Sequence, residues 1–288
     1  MKNNNLYVAI VVVTYNRLSC LKKCIECLKK QTYSNSEIII IDNASTDGTS
    51  EYASSLTGVT YIRLNENNGG SYGFSYAVKY ASELENVDLV WGMDDDAYAN
   101  ADALEQLVGV YKNGRSLSDT ALWSNSHSHK ESYIHGKIEE IKSWTFVGFM
   151  LSVEMIKNIG IPRNDLFIFY DDAEYANRIR KYGFRIMKVH DSIIIHEGAI
   201  AKMGGGNYST IKIFGVTISL QHLPDWKRYY TIRNLFLIQS SLKGKLYALG
   251  FAIKQGFRIL ILQPHQMSIW WKALFHGIIG KKGKVMMP

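Results

Sequence analysis

Four apolar runs in the first hundred residues alternate with segments of helical periodicity. Each run is apolar at nearly every position, which is typical of strands in a parallel sheet that is covered on both faces. The segments between them place apolar residues three or four positions apart, as Leu21, Ile25 and Leu28 do, and are predicted to be helices. We therefore predict an α/β fold with a mostly parallel sheet and helices on both faces. The runs are YVAIVVVTY, EIIIID, VTYIRL and VDLVWGM.

Polar clusters stand where these four strands are predicted to end. They comprise residues 14–17, Asp42, residues 68–70 and residues 94–96. A single cluster would be ordinary turn chemistry. Because the carboxyl ends of parallel strands meet at one edge of a sheet, where ligands bind in such folds, we expect the four clusters to form one site.

Three consecutive aspartates, Asp94, Asp95 and Asp96, follow the fourth run. Adjacent carboxylates repel one another unless a positive charge lies among them, and oxygen ligands suit Mg²⁺ or Mn²⁺. A solvated turn or a helix N-terminus is the alternative. The neighbouring polar clusters favour the metal site. His196, at the end of a later predicted strand, is a candidate imidazole ligand to the same metal, although a lone histidine is more often structural.

Two further groups of polar residues have both a functional and a structural interpretation. Asp42 could accept the N3–H of uracil or thymine, or it could cap a helix. In FYDDAEY, Asp171, Asp172 and Glu174 open a predicted helix, where acids are favourable in any case. The functional interpretation is that one of these carboxylates takes a proton from an incoming hydroxyl. The glycines near residue 69 do not form the G-x-G-x-x-G pattern that should follow a first strand, which argues against a nucleotide-binding oxidoreductase.

The charge of the chain is unevenly distributed. Residues 226–288 carry eleven Lys and Arg but no Asp or Glu, whereas residues 1–225 carry 22 basic and 26 acidic side chains, a net charge of −4. We therefore divide the chain into a first domain, residues 1–225, and a basic, aromatic helical region, residues 226–288. Aromatic side chains among the cations favour an anionic membrane surface over nucleic acid. Packing on the first domain or on a second copy in a homo-oligomer is the alternative.

The cysteines and the N-terminal residues indicate a cytoplasmic protein. Cys20, Cys24 and Cys27 fall on one helical face, and we interpret them as core residues and not as a thiol metal site. The apolar stretch from Leu6 to Val13 has no small-residue cleavage site after it, so it is predicted to be a strand and not a signal peptide. No apolar run approaches the roughly 18 residues that a membrane span needs.

Eight segments, taken in order, resemble the family-2 inverting glycosyltransferases, and in particular the branch with bacterial galactofuranosyltransferases and rhamnosyltransferases. The resemblance covers roughly residues 6–235. No one motif is decisive, but eight in register are specific. The segments are VVVTYNR, IIIIDNASTDGT, NNGGSYG, DDDA, FVGFM, FYDDAEY, IIHEG and YYTIRN.

The resemblance implies a GT-A fold, which is Rossmann-like, with a nucleotide-diphosphate sugar and Mn²⁺ or Mg²⁺ bound to the first domain. Asp172 would be the general base, with Asp171 and Glu174 beside it, and Asp96 and His196 would bind the metal. The nucleoside would contact Thr14, Asn16, Arg17 and Asp42, and the ribose or sugar would contact Asp94 and Asp95. The donor would also approach Asn68, Gly69 and Gly70, and the donor or acceptor would meet Trp144 and residues 146–149. The residues that would face the cleft from the other side are Tyr229, Tyr230, Arg233 and Asn234. For the two tyrosines, packing between domains is the alternative.

These roles predict a metal-dependent transfer with inversion at the anomeric carbon. A loop at Gly204–Gly206 would act as a lid. The donor remains open between UDP-galactofuranose and dTDP-rhamnose, and the acceptor implied by the resemblance is a lipid-linked glycan of a bacterial surface polysaccharide. The protein would then lie on the inner face of the cytoplasmic membrane. The alternative is a catalytically silent, membrane-docked subunit that binds sugar nucleotides or glycans and scaffolds a partner enzyme.

Overall fold

The computed structural model describes residues 5–113, 116, 118–127, 134–196, 208–213 and 215–287. The contacts between these residues divide the chain into two compact units. The first unit comprises the described residues of Met1–Asn164 and Asp172–Met203, and the second those of Asp165–Asp171 and Gly204–Pro288. The contacts thus group the residues just before 225 with the C-terminal helices, whereas the sequence suggested a boundary at residue 225.

A nine-stranded sheet forms the centre of the first unit, in the order β3-β2-β1-β4-β8-β6-β9-β5, with β7 paired to β9. The first four strands are parallel to one another, and β8 is antiparallel to both of its neighbours. The predicted mostly parallel α/β sheet is confirmed. The strands are β1 (Val8–Thr14), β2 (Ser36–Asp42), β3 (Val59–Arg63), β4 (Leu89–Asp94), β5 (Ala97–Ala99), β6 (Thr120–His127), β7 (Ile138–Glu140), β8 (Phe149–Ser152) and β9 (Arg185–His196).

Hydrophobic cores on both faces of the sheet explain why the strands are apolar at every position. Along β1, Val8, Ile10 and Val12 belong to one core, while Ala9 and Val11 belong to the other. Successive side chains of a strand point to opposite faces, so a strand covered on both faces has no position for a polar residue before its end. The helices of this unit are α1 (Leu18–Leu28), α2 (Thr49–Ser54), α3 (Gly69–Ser82), α4 (Ala103–Lys112), α5 (Val153–Ile159) and α6 (Asp171–Lys181).

The apolar face of α1 packs on the first of these cores. Leu21, Cys24 and Ile25 are buried there, at the three- and four-residue spacing that predicted the helix. Cys24 is thus a core residue, whereas Cys20 and Cys27 are half-buried free thiols. Burial raises the pKa of the Cys24 thiol well above its ordinary value, so the thiol is protonated at neutral pH.

The second unit consists of a hairpin and a group of helices. Its core contains Tyr229, Tyr230, Phe236, Trp270 and Leu274. No helix among the described residues is both long enough and apolar enough to cross a membrane. The elements are β10 (Tyr208–Ile213), β11 (Val216–Gln221), α7 (Asp225–Lys243), α8 (Lys245–Leu262), a 3₁₀ turn (Pro264–Gln266) and α9 (Met267–Ile278).

Gly148, just before β8, allows a close approach that any other residue would prevent. Its φ of +79° is left-handed, and a Cβ there would lie 2.5 Å from Ile194 and 2.6 Å from Ser124. We expect Gly148→Ala to lower the free energy of unfolding by about 2–4 kcal/mol, from strain and overpacking together. The control is Gly109→Ala in α4, where a Cβ meets no atom within 4 Å. That substitution should stabilise by up to about 1 kcal/mol. Urea unfolding midpoints test this, and equal midpoints for the two variants would contradict it.

Candidate active site

The three aspartates lie at the carboxyl edge of the sheet, where β4 ends and a short turn leads into β5. Strand β5 pairs antiparallel with β9, and this register sets Ala97 opposite His196. Asp96 is the residue before Ala97, and its Oδ1 lies 3.2 Å from His196 Nε2. The pairing of β5 with β9 therefore joins two groups that are 100 positions apart in the chain.

Thr14, the last residue of β1, and Arg17, in the loop that follows it, bind the aspartates. Thr14 Oγ1 donates a hydrogen bond of 2.6 Å to Asp95 Oδ2. Arg17 Nη1 lies 2.7 Å from Asp96 Oδ2 and 3.4 Å from Asp95 Oδ1. The register of β1 with β4 sets Val13 opposite Asp94, which explains the proximity. The polar residues at the ends of β1 and β4, two of the four predicted clusters, therefore lie together.

The three carboxylates differ in their affinity for protons. Burial and the neighbouring acids raise the pKa of Asp94 to about 8, and burial raises the pKa of Asp95 to about 6. Burial also acts on Asp96, but His196 and Arg17 outweigh it and lower the pKa of that carboxyl below its ordinary value. Asp96 is therefore ionised at neutral pH, while Asp94 is largely protonated until a further positive charge arrives.

Asp94, Asp96 and His196 form a group that could hold a metal ion. Each offers one ligand atom, and these atoms lie within 4.8 Å of one another. Asp96 Oδ1 is buried and has no hydrogen-bond partner of good geometry among the described residues. Two carboxylates and one imidazole form a donor set that suits Mn²⁺ or Mg²⁺. The residues present therefore fit a divalent cation, and Asp94, assigned to the donor from the resemblance, joins the candidate ligands.

Asp42 ends β2 and is fully buried. Its Oδ1 accepts hydrogen bonds from Ser45 N at 2.9 Å and Ser45 Oγ at 2.5 Å, and its Oδ2 accepts one from Tyr61 Oη at 2.8 Å. Both oxygens are therefore engaged by protein donors, although Asp42 does not cap helix α2, whose N-cap position is Gly48. The contact with the base stays a prediction. The Asp-x-x-Ser spacing of a local turn was a sequence signal for the Ser45 bonds. The bond from Tyr61 depends on the pairing of β2 with β3 and had no local signal.

Asn16 connects the loops after β1 and β2. Its backbone has a left-handed φ of +50°, its N–H donates to Ser45 Oγ at 2.9 Å, and its Oδ1 accepts from Thr46 N at 2.7 Å. These bonds connect the loop after β1 to the loop after β2, so Asn16 has a structural role at the carboxyl edge of the sheet. Asparagine is among the residues that tolerate this backbone conformation.

The glycine segment after β3 opens helix α3. Asn68 precedes the helix, and Gly69 has a left-handed φ of +84°. A Cβ at Gly70 would meet no atom within 4 Å, so this position borders open space. Gly73 was not singled out from the sequence, yet a Cβ there would lie 2.6 Å from Val13. The segment therefore combines an open start, suited to a ligand, with close packing of α3 on β1.

The acids at the start of α6 differ in their surroundings. Glu174 lies 2.9 Å from Arg178, whose Nη1 also donates to the carbonyls of Ile159 and Ile161. This network gives Glu174 a structural role. Asp171 is buried, and Asp172 is half-buried with a pKa that burial raises. A raised pKa makes a carboxylate a stronger base, so Asp172 keeps the role of candidate general base.

Two predicted donor contacts, Trp144 and Arg233, are enclosed by protein. Trp144 is buried with its ring 5.8 Å from that of Phe149. Arg233 is fully buried in the second unit and donates to the carbonyls of Leu166 and Gly283. This burial argues against the predicted contact of Arg233 with the donor, because its guanidinium already serves packing. The predicted lid at Gly204–Gly206 lies outside the described residues.

We expect Mn²⁺ to raise the melting temperature of the protein, since a ligand at 100 times its dissociation constant adds about 2.7 kcal/mol of stability. Asp96→Asn should abolish this shift because it removes the ionised carboxylate. Glu83→Gln is the matched control, because Glu83 is exposed and pairs only loosely with Lys79, at 3.9 Å. Differential scanning fluorimetry with and without EDTA measures the effect. A shift that survives in Asp96→Asn would place the metal elsewhere.

The sequence and the fold both match known glycosyltransferases. The model of the family described as "Glycosyl transferase family 2" matches residues 9–158, just over half of the 288 residues. The dTDP-rhamnosyl transferase RfbF of Shigella flexneri is 26% identical over 253 residues, covering 82% of this chain and 80% of that protein. The galactofuranosyltransferase GlfT1 of Mycobacterium tuberculosis is 24% identical over 308 residues, with 96% of both chains covered.

A solved structure supports the fold assignment. The mannosyltransferase PcManGT from Pyrobaculum calidifontis, in complex with GDP-Man and Mn²⁺, superposes with a TM-score of 0.55 at 15% identity. The superposition covers 95% of this chain and 87% of that one. The family and the fold inferred from the sequence are therefore confirmed. The chain belongs to glycosyl transferase family 2, and it is a glycosyltransferase with the GT-A fold.

Proposed function

We propose that the protein transfers a sugar from a nucleotide-diphosphate donor to a hydroxyl group of a glycan, with inversion at the anomeric carbon and with a divalent cation. The group of Asp94, Asp96 and His196 at the carboxyl edge of the sheet carries this proposal. That edge is where ligands bind in α/β folds of this type. Asp96 Oδ1 is buried and faces His196 Nε2 at 3.2 Å, so a cation bound to both groups would replace the contact between them.

The side chains of the first unit have defined tasks in this reaction. Asp94, Asp96 and His196 would hold the cation, and Mn²⁺ or Mg²⁺ bound there would neutralise the charge that develops on the leaving diphosphate. Thr14 and Arg17 keep the aspartates in place through their bonds to Asp95 and Asp96. Half of the side chain of Arg17 is exposed, so its guanidinium can also meet a phosphate.

Proton transfer is assigned to Asp172. Its carboxylate takes the proton of the acceptor hydroxyl as that oxygen attacks the anomeric carbon from the face opposite the diphosphate, so no covalent sugar–enzyme intermediate is needed. Burial raises the pKa of Asp172, which brings its basicity closer to what the deprotonation of a hydroxyl requires.

The relatives support dTDP-rhamnose as one possible donor and galactofuranose as the sugar of the other, for which the resemblance of the sequence implies UDP. One relative is named a dTDP-rhamnosyl transferase and another a galactofuranosyltransferase. Uracil and thymine present the same N3–H between two carbonyls, so a pocket that reads this edge accepts both bases. Binding of UDP, dTDP and GDP, each with Mn²⁺, is therefore the first screen, and GDP is expected to bind most weakly.

Two helices of the second unit support a lipid-linked acceptor and a peripheral position on an anionic membrane. Exposed apolar residues recur three or four positions apart on α8, and again on α9. Exposed lysines accompany them, as expected of a helix that lies on anionic headgroups. We propose that this surface, the α8–α9 surface, docks on the inner face of the cytoplasmic membrane. It comprises Ile253, Phe257, Leu260 and Ile261 on α8, Trp271, Phe275 and Ile278 on α9, and the lysines 254 and 272.

We expect Asp172→Asn to lower the transfer rate at least about 100-fold and to leave donor binding intact, since an amide cannot accept the proton. Glu154→Gln is the control, because it removes an exposed carboxylate from the first turn of α5. Transfer to a synthetic glycan acceptor is measured by chromatography, and the anomeric coupling of the product by NMR. Unchanged turnover of Asp172→Asn would remove the residue from this role. Retained configuration in the product would overturn the inverting mechanism.

Flotation with liposomes tests the α8–α9 surface. The variant Phe257→Ser/Trp271→Ser/Phe275→Ser replaces three aromatic side chains that are each about 60% exposed. We expect it to lose at least about tenfold in partitioning to vesicles that contain phosphatidylglycerol. The control Tyr182→Ser/Tyr208→Ser removes two aromatic residues of similar exposure elsewhere. Equal flotation of both variants would end the membrane proposal. A wild-type dimer that the triple variant dissociates would assign the surface to a second copy.

A further inference from the structure

The segment that leads into helix α6 has an unusual backbone. Phe167, Phe169 and Tyr170 all have left-handed φ angles, of +66°, +70° and +67°. For bulky residues this conformation is unfavourable, because Cβ comes too close to the following carbonyl oxygen. Three such residues within four positions persist only where the surroundings determine the backbone strongly. The segment ends at Asp171, the first residue of α6.

Asn234 of helix α7 binds this segment through one amide group. Its Nδ2 lies 2.9 Å from the carbonyl oxygen of Leu166, 2.7 Å from that of Ile168 and 3.1 Å from that of Phe169. Asn234 and its hydrogen bond to Leu166 O are fully buried, whereas its bonds to Ile168 O and Phe169 O are part-buried. The two N–H groups of this amide are thus shared among three carbonyls, of which Leu166 O also accepts a bond from Ile168 N.

Arg233 reinforces the same contacts from the neighbouring position. Its Nη2 donates to Leu166 O at 2.8 Å, and its Nε donates to Asn234 Oδ1 at 2.9 Å, which fixes the orientation of the amide. With Oδ1 held by Arg233, the Nδ2 group of Asn234 must face the segment. The ring of Phe167 stacks on Tyr230 with its centroid 4.8 Å away.

The C-terminal residues complete the arrangement. Gly283 N donates to Asp165 O at 2.6 Å, and Lys282 lies 3.0 Å from the carboxylate of Asp165. Gly283 O accepts from Arg233 Nη1 at 2.7 Å, and Tyr230 Oη accepts from Val285 N at 2.8 Å. Helix α7 and residues 282–286 thus hold both ends of the segment 165–169.

We propose that Asn234, oriented by Arg233, is a positioning residue that fixes the strained segment 165–170 and with it the start of helix α6. This inference rests on the proposed function, because it matters for catalysis through Asp172, the second residue of that helix. Tyr170 directly precedes Asp171, so a change in the backbone angles of Phe169 and Tyr170 is transmitted along the chain to Asp171 and Asp172. Relaxation of these angles moves the Asp172 carboxylate, and a displacement of about 1 Å from the productive geometry can slow a reaction about 100-fold.

The substitution Asn234→Asp tests the role, because it keeps the shape of the side chain and replaces the amide donor with an oxygen that repels the three carbonyls. We expect kcat to fall at least about 30-fold, while KM for the donor and the affinity for Mn²⁺ stay within about twofold of wild type. Asn234→Ser retains one hydrogen-bond donor, so its kcat should fall less than that of Asn234→Asp. If Asn234→Asp does not fold, Asn234→Ser is used for the same measurements. The control Ile259→Ala shortens a buried side chain of the same core and leaves these hydrogen bonds in place. It should lower the melting temperature but not kcat.

Hydrogen–deuterium exchange gives a second readout that needs no activity. We expect the amides of residues 166–172 to exchange at least about tenfold faster in Asn234→Asp or Asn234→Ser, and at the wild-type rate in Ile259→Ala. Unchanged exchange would overturn the proposal that Asn234 holds the segment. Faster exchange with unchanged kcat would overturn its role in catalysis. If the wild type transfers no sugar at all, the proposed function fails, and the exchange data still decide whether Asn234 fixes the segment.

Discussion

Two nearly buried carboxylates, Asp95 and Asp96, lie side by side at the end of β4, and their mutual repulsion is the constraint on which the site depends. Asp95 is 3% exposed and Asp96 is 5% exposed, so water screens them poorly. The protein offsets the repulsion with groups from three other places in the chain: the end of β1, the start of α1 and the end of β9. Strand register brings Thr14, Arg17 and His196 next to the aspartates, and their hydrogen bonds and positive charge stabilise the acidic cluster.

The same constraint explains the chemistry that the site can perform. Asp96 is kept ionised by His196 and Arg17, whereas burial keeps Asp94 largely protonated at neutral pH. A divalent cation among these groups would favour the ionised form of Asp94 as well as that of Asp96. In the proposed reaction its positive charge would lie where the diphosphate leaves. Metal binding and donor binding are therefore expected to support each other.

The sequence predicted the parts of this arrangement that depend on local pattern. A strand buried on both faces must be apolar until it ends, so the runs before Thr14, Asp42 and Asp94 marked the edge of the sheet. The role of Arg233 could not be inferred in this way, because an arginine in a motif looks the same whether it faces a ligand or the carbonyl of a residue 67 positions earlier, as Leu166 is. The left-handed backbone at Phe167 and Phe169 also had no signal, since glycine or asparagine would be expected there.

The most direct test of the central claim is the anomalous diffraction of Mn²⁺ in crystals grown with the cation and UDP. The account predicts one strong peak with Asp96 and His196 as ligands, at distances of about 2.0–2.4 Å. Asp94 should lie in the same coordination sphere or bind it through one water. A peak bound by other residues, or density for the nucleotide with no metal beside Asp96, would contradict it.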